Sequence, residues 1–222
     1  MLQDYQLAAE HPFQIMDIEE DKSDHLQYKK GQLIYCEDST PLGVYFVQKG
    51  SVKISKVGCD GKEQILRIVT ADEMMGYVDM VSNSRYSSSA KALEDTTLLF
   101  IPKQEFWTTL KKQRQLFENF ILLLSDDLKE AELKIADFAY KPVRGRLADA
   151  LVYLNKKFNK KQNEVKAISI SRFDLACFVG TAKETINRLL SEFRNEKIIS
   201  TDGTKINILE VNELDRLSKM YN

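Results

Sequence analysis

The sequence is short of the residues that most enzyme chemistry needs. It has two histidines, His11 and His25, and both fall in the first 25 residues beside Asp17, Glu19, Glu20, Asp21 and Asp24. Isolated imidazoles beside acids are more often surface groups than metal or haem ligands, and no metal site is assigned. Elsewhere there is no nucleophile–base motif and no phosphate-cradling glycine loop, so no catalytic residue is assigned and the chain does not read as an enzyme. The three cysteines, Cys36, Cys59 and Cys177, are an odd number, widely separated and without C-x-x-C spacing. That pattern suggests neither a disulfide framework nor a zinc or iron–sulfur site and implies reduced thiols. No apolar run approaches the roughly 18 residues of a membrane span. The start, MLQDYQLAAEHPF, lacks the basic-then-apolar layout of a signal peptide, so a cytoplasmic location away from membranes is expected.

What is present is ordinary in bulk and uneven in distribution. The 222 residues are 43% hydrophobic and 29% charged, enough for one large or two modest globular domains. The net charge of −1 hides 16 basic against 23 acidic residues in positions 1–140, and 16 against 10 in positions 141–222. A basic C-terminal third on an acidic body favours nucleic acid at one end of the chain.

That basic third contains the stretch around which the chain is organised, Ile168 to Asn195, ISISRFDLACFVGTAKETINRLLSEFRN. Ser171 with Asp174 three residues on is a capping-box-like helix start. Leu175, Ala176 and Val179 then mark a short buried face, and Gly180 supplies the left-handed residue that ends it. Thr181 and Glu184 repeat the cap pattern for a second helix, with Ile186, Leu189, Leu190 and Phe193 inward and Lys183, Glu184, Asn187, Arg188 and Arg194 outward. Two short helices around a glycine turn predict a helix-turn-helix, whose second helix enters the DNA major groove. Beyond it, Ile198 to Ile208 is a pair of β-branched runs around Asp202-Gly203, the signal of a type I′ hairpin, which makes the unit winged.

Upstream, residues 1–25 read as a short helical lead-in. From about Leu26 to Phe100 short β-rich runs follow: 32–36, 44–48, 51–57, 64–69 and 96–101, with Cys59-Asp60-Gly61-Lys62 as a hairpin turn. Many short strands at this spacing predict a sandwich or jelly-roll barrel. After Pro102 comes a helical tract. In it Phe117, Ile121, Leu124, Leu128, Ala131, Ile135 and Phe138 step by alternating fours and threes, a heptad seam for a second copy of the helix. Phe120, Leu123 and Leu133 lie off the seam and are expected to face the barrel. Pro142 ends this helix and opens the next, Val143 to about Phe158, which buries Leu147, Leu151 and Leu154. The expected domains are 1–114 for a sensor barrel, 115–141 for the dimerisation helix and hinge, and 142–222 for the winged domain.

A small barrel, a heptad helix, a hinge and a winged helix-turn-helix, in that order, resemble the Crp/Fnr family of bacterial transcription regulators. The likeness covers nearly the whole chain. Its specific parts are Lys49-Gly50-Ser51-Val52, Gly61-Lys62-Glu63, Gly76, Val143-Arg144-Gly145-Arg146-Leu147-Ala148 and, above all, Val179-Gly180-Thr181-Ala182-Lys183-Glu184-Thr185-Ile186-Asn187-Arg188-Leu189-Leu190. The resemblance implies an α+β fold: a cyclic-nucleotide-binding-like β jelly roll, a long dimerisation helix and a C-terminal winged helix-turn-helix. It implies a homodimer that reads a palindromic operator in double-stranded DNA. Base contacts then fall on Glu184 and Arg188, and the further DNA-binding positions are Ser171, Arg172, Thr181, Ala182, Lys183 and Asn187. Arg suits guanine O6/N7 and a carboxylate suits cytosine N4. By the same resemblance the basic stretch from Lys156 to Lys166 would touch RNA polymerase. The alternative from another class is a signalling module whose winged domain binds protein rather than DNA.

The effector side departs from the family. Cyclic-nucleotide binders hold the ribose through the glutamate of a Gly-Glu-Leu segment and the phosphate through an Arg-Ser pair eleven residues on. Here the positions read Gly76-Tyr77-Val78 and Ser87-Ser88, with Arg85 displaced by two. A Thr-Ser pair that meets the base corresponds to Ala131-Glu132. The candidate effector residues are therefore Met75, Gly76, Tyr77, Arg85, Ser87, Ser88, Ala131 and Glu132, and cyclic AMP is not the expected ligand, because its charge-assisted contacts are missing. The N-terminal cysteines of the family's iron–sulfur sensors are also missing. Met74, Met75, Tyr77, Met80 and Tyr86 are read as core fillers, or else as the lining for a less charged effector or for haem; the effector is left unidentified.

Overall fold

The computed structural model describes residues 24–159 and 167–220. Residues 1–23 of the proposed lead-in, His11 among them, and most of the basic stretch assigned to polymerase lie outside the described residues. Two compact units emerge. One takes in the chain up to Lys56 and Leu66–Ala131, the other Val57–Ile65 and Glu132–Asn222.

The first unit is the β jelly roll. Its strands are β1 (Asp24–Tyr28), β2 (Leu33–Tyr35), β3 (Gly43–Lys49), β4 (Ser51–Val57), β5 (Glu63–Thr70), β6 (Met74–Met75), β7 (Ser89–Ala92) and β8 (Thr96–Pro102). They form two four-stranded antiparallel sheets, ordered β1-β8-β3-β6 and β2-β7-β4-β5. Val47, Met75 and Leu98 of one sheet meet Tyr35, Val52, Val69 and Ala90 of the other in a common apolar core that includes Tyr86. The turn at 58–62 closes as expected, Gly58 N donating to Lys62 O at 2.9 Å with Gly61 at φ 77°. β1 replaces the end of the expected helical lead-in, and β1, β6 and β7 were not anticipated. Two of these are only two and four residues long; such short pieces carry too little alternation to stand out from turns.

A second core lies between the sheet containing β3 and β8 and three helices: α1 (Tyr77–Val81), α2 (Lys103–Lys112) and α3 (Arg114–Tyr140). Tyr77, Met80, Phe106, Leu110, Leu116 and Phe120 are all buried there. The helical tract breaks once, at Gln113, whose extended φ −118° and ψ 98° separate α2 from α3. At 27 residues α3 runs about 40 Å. Phe120 and Leu123 pack on this core as expected. Leu133 does not: it is 68% exposed. An α-helix turns 100° per residue, so ten positions beyond Leu123 the side chain has rotated away from that face. Of the heptad positions Leu124 is half-buried, and Phe117, Ile121, Leu128, Ala131, Ile135 and Phe138 are exposed, Leu128 at 61% and Ile135 at 70%.

The second unit is the winged helix-turn-helix. After α4 (Val143–Phe158) come β9 (Ile168–Ser169), α5 (Arg172–Val179), α6 (Lys183–Asn195), β10 (Ile199–Asp202), β11 (Lys205–Ile208) and α7 (Val211–Lys219). The wing is a three-stranded sheet, β10-β11-β9. Ile168 and Ser169 belong to it, so the first helix of the expected pair begins only at Arg172. Asp202 pairs with Lys205, leaving Gly203-Thr204 as the loop. Only Gly203 has a positive φ, 54°. That places the glycine first, as in a type II′ turn, instead of the expected type I′ pair.

Where α3 meets α4, Pro142 opens α4 with φ −64° and its neighbour Lys141 is buried. Lys141 Nζ lies 2.7 Å from Asp149 Oδ2 and 3.2 Å from Asp137 Oδ1, and the Ser218 hydroxyl donates to Asp149. One ammonium thereby ties the end of α3 to α4, and α4 to α7. Burial pulls the Lys141 pKa down, but the hydrogen bonds and charges of Asp149 and Asp137 outweigh it and hold the group above its ordinary 10.5. A raised folded-state pKa gives stability that is complete below the unfolded value and is lost as pH rises through the folded one. Lys141→Met should cost about 1.5–3 kcal/mol in urea unfolding at neutral pH. The gap between wild type and variant should stay constant up to about pH 10 and shrink above it; a gap that is small at neutral pH, or independent of pH beyond that point, refutes the assignment.

Candidate nucleic-acid interface

The reading head is built from local signals that the structure meets closely. Ser171 caps α5, its hydroxyl accepting from Asp174 N at 2.9 Å and donating to Asp174 Oδ2 at 2.5 Å. Leu175, Ala176, Cys177, Phe178 and Val179 are buried beneath it. Gly180 ends α5 at φ 71°, ψ 54°. The second cap differs from expectation. Ala182, not Thr181, is the N-cap of α6, and no side chain caps that end. Glu184 is therefore not committed to a cap with Thr181 and is exposed on the first turn.

Ile186, Leu189, Leu190 and Phe193 of α6 point inward, all but fully buried, while Ala182, Lys183, Glu184, Asn187, Arg188 and Arg194 are exposed. Ser171, Arg172 and Thr181 are half-buried around them. Arg172 Nη2 donates to the wing carbonyl Gly203 O at 3.2 Å, which joins the start of α5 to the wing turn. Its Nη1 is buried without a hydrogen-bond partner among the described residues, and burial lowers the pKa of the guanidinium. Arg188 Nη1 donates to Glu192 one turn on. Glu192 in turn accepts from Arg144 of α4. Arg144 stood in the sequence only as part of the motif at 143–148, without a role, and Glu192 was not singled out; the i,i+4 spacing of Arg188 and Glu192 was the available signal.

Arg146 holds the turn from below. Its Nε donates to Val179 O at 3.1 Å, Nη2 to Gly180 O at 3.2 Å and Nη1 to Lys141 O at 2.9 Å, and the guanidinium lies 5.3 Å from the centroid of the Phe138 ring. The tip of the β4–β5 hairpin belongs to the same unit, and Gln64 Nε2 donates to Phe178 O at 3.4 Å.

The candidate effector residues are divided. Met75, Tyr77 and Ser88 are buried and Gly76 half-buried, whereas Arg85, Ser87, Ala131 and Glu132 are exposed. Met74, Met75, Tyr77, Met80 and Tyr86 are core fillers, each at most 3% exposed. Tyr86 stacks on Tyr35 with centroids 3.9 Å apart. Arg85 reaches the backbone carbonyl of Asp38 at 2.6 Å. At the position that the resemblance gives to a ribose-binding glutamate, the Tyr77 hydroxyl accepts from Arg67 Nη1 at 2.5 Å and donates to Asp127. Arg67 also meets Asp127 directly at 3.0 Å, both side chains being about one-fifth exposed at 19% and 24%. Burial lowers the Arg67 pKa, yet the neighbouring Tyr77 and Asp127 raise it overall, while desolvation pushes the Tyr77 phenol up. Arg67 and Asp127, 60 positions apart, carried no sequence signal. No group of three or more His, Cys, Asp or Glu able to hold a metal ion occurs among the described residues, nor does a helix long and apolar enough to cross a membrane.

Two family models match the chain, the cyclic nucleotide-binding domain over residues 25–113 and the Crp-like helix-turn-helix domain over residues 145–217. Among curated proteins it is 29% identical over 177 residues to the anaerobic regulatory protein of Bacillus subtilis, covering 78% of this chain and 74% of that one. It is 25% identical over 191 residues to the cyclic AMP receptor protein of Thermus thermophilus, covering 86% of each. Among solved structures, FixK2 of Bradyrhizobium japonicum superposes with a TM-score of 0.78 at 22% identity, covering 88% of this chain and 96% of that one. A transcriptional regulator of the CRP/FNR family from Thermus thermophilus gives 0.73 at 24% identity, covering 90% and 100%.

The turn at Gly180 makes a direct prediction. A Cβ there would lie 2.4 Å from Phe138 Cε1 and 3.2 Å from Gln64 Oε1, on a backbone in left-handed geometry. Gly180→Ala should destabilise the chain by about 1–2 kcal/mol from backbone strain, with a steric penalty in addition. In a Phe138→Ala background the steric part should vanish and the strain remain, which comparing the two unfolding differences reads directly; equal costs in both backgrounds contradict the packing.

Proposed function

The chain belongs to the Crp/Fnr family of transcription regulators and carries its helix-turn-helix DNA-binding domain, and we propose that it works as a cytoplasmic homodimer that reads a palindromic operator. The observation that carries the operator reading is the exposed face of α6: Lys183, Glu184, Asn187 and Arg188 stand clear of the core on a helix whose other face is buried. Arg188 offers a planar donor pair to guanine and Glu184 an acceptor to cytosine, so each half-site contains a G·C step. Lys183, Arg172, Ser171, Thr181, Ala182 and Asn187 surround them.

Dimerisation follows from α3. Phe117, Ile121, Leu128 and Ile135 expose an apolar stripe at heptad spacing, which a second copy of the helix would cover. Two-fold pairing sets half-sites roughly 34 Å apart. RNA polymerase is the further partner that the family implies.

The barrel would bias this dimer in response to an effector other than cyclic AMP. Tyr77 stands at the ribose position, already engaged by Arg67 and Asp127, and Ser87-Ser88 supplies no guanidinium for a cyclic phosphate. Titration of cyclic AMP should leave DNA affinity unchanged.

Genomic fragments retained by the protein, assayed by gel shift at two salt concentrations, test the reading. Binding should weaken steeply with salt. Arg188→Ala should cost about 1–3 kcal/mol and relax discrimination at one base pair per half-site, while Lys183→Ala should lower the salt slope by about one. Salt-insensitive binding, or no retained fragments, would favour a winged domain that binds protein.

A further inference from the structure

Glu192 has two cationic partners, and they are not alike. Arg188, the base-reading candidate on the same helix, is 64% exposed and has its Nη1 on Glu192 Oε1. Arg144 comes from α4, is 27% exposed and donates through Nη1 to Glu192 Oε2 at 3.0 Å. Arg144 is itself fixed. Its Nη2 grips both oxygens of Glu196 at 2.8 and 2.6 Å, and its guanidinium carbon lies 4.7 Å from the centroid of the buried Phe193 ring. Glu192 and Phe193 of α6 and Glu196, its C-cap, are thus seized by one side chain of α4.

We propose that Glu192 is the positioning residue that sets how Arg188 meets its base, and that Arg144 acts through Glu192 by holding its carboxylate in place. The inference rests on the DNA-reading function proposed above. An exposed i,i+4 pair contributes little by itself, because both side chains give up rotamer freedom to form it. A carboxylate already anchored through its other oxygen has given up that freedom, so the pair with Arg188 costs only the ordering of one chain. The guanidinium is planar, and holding it at Nη1 fixes the plane and leaves the opposite edge, Nη2 and Nε, free as a donor pair. Guanine O6 and N7 require two coplanar donors, and a side chain already oriented loses less entropy on meeting them. Charge supports the same arrangement. Glu192 and Glu196 alone would set two carboxylates beside the groove; Arg144 neutralises one of them and so limits repulsion of the phosphates.

The test uses the full-length chain and the base pair at which Arg188→Ala loses discrimination. Glu192→Gln keeps the shape but replaces the charge-assisted bond with a weaker neutral one. Discrimination at that base pair should fall by about fivefold to tenfold, a fraction of what a bidentate arginine supplies, while affinity for non-specific DNA stays level or rises. Arg144→Ala should lower the same discrimination in the wild-type background and add nothing in the Glu192→Gln background. Tighter operator binding with discrimination intact would make Glu192 a competitor for Arg188 and overturn the proposal. So would a shift in thermal stability with no change in discrimination, or additive effects of the two substitutions. If Arg188→Ala itself changes no base preference, it is the DNA-reading assignment of Arg188 that fails, and the outcome is distinct from these.

Discussion

The two helices of the reading head meet at a point where no side chain fits. Gly180 holds a left-handed conformation, and the ring of Phe138, from the end of α3, approaches so closely that a Cβ would collide with it. Helix ends also leave carbonyls without partners, and here Arg146 takes up those of Val179 and Gly180 while also reaching Lys141 O. The angle between α5 and α6 is consequently fixed by a tight turn, one aromatic ring and one guanidinium. The exposed positions of α6, from Lys183 to Arg194, inherit their placement from that junction.

The parts legible from sequence are those written in neighbouring residues. Ser171 with Asp174, the glycine at 180, the inward stripe of α6 and the proline that divides α3 from α4 are each a pattern within one turn or one helix, and each stands where the pattern puts it. What failed is what depends on distant partners or on very short pieces. Leu133 was assigned to the barrel because it lies off the heptad seam, but ten positions beyond Leu123 it has rotated away from that core and is exposed. Thr181 has the chemistry of a cap, yet the chain enters α6 one residue later. The turn of the wing holds Gly203 first and not second, a shift of one register position that Asp-Gly alone does not specify. The contacts of Arg67 with Asp127 and of Arg144 with Glu192 and Glu196 span tens of residues and leave no local trace.

The same helix that presents the apolar stripe also carries ionic contacts at two levels. Asp127 joins Arg67 and Tyr77 in the first unit, and Asp137 joins Lys141 in the second. In a partly dry setting an ion pair that loses a partner costs more than the pair contributed, so each of these sites resists rearrangement unless another charge takes the vacated place. Between the two sheets the core is made of valines, Ala90, Leu98 and Met75 with the stacked Tyr35 and Tyr86. Arg67 of β5, Tyr77 of α1 and Asp127 of α3 form one polar cluster where those three elements converge.

The central claim is that two copies of this chain place two copies of α6 on one DNA site. Hydroxyl-radical footprinting on a genomic fragment that the protein retains measures that geometry directly. A dimer of this kind protects two equivalent segments related by a two-fold axis, with centres about 10 base pairs, or one helical turn, apart. A single asymmetric protected segment would contradict it.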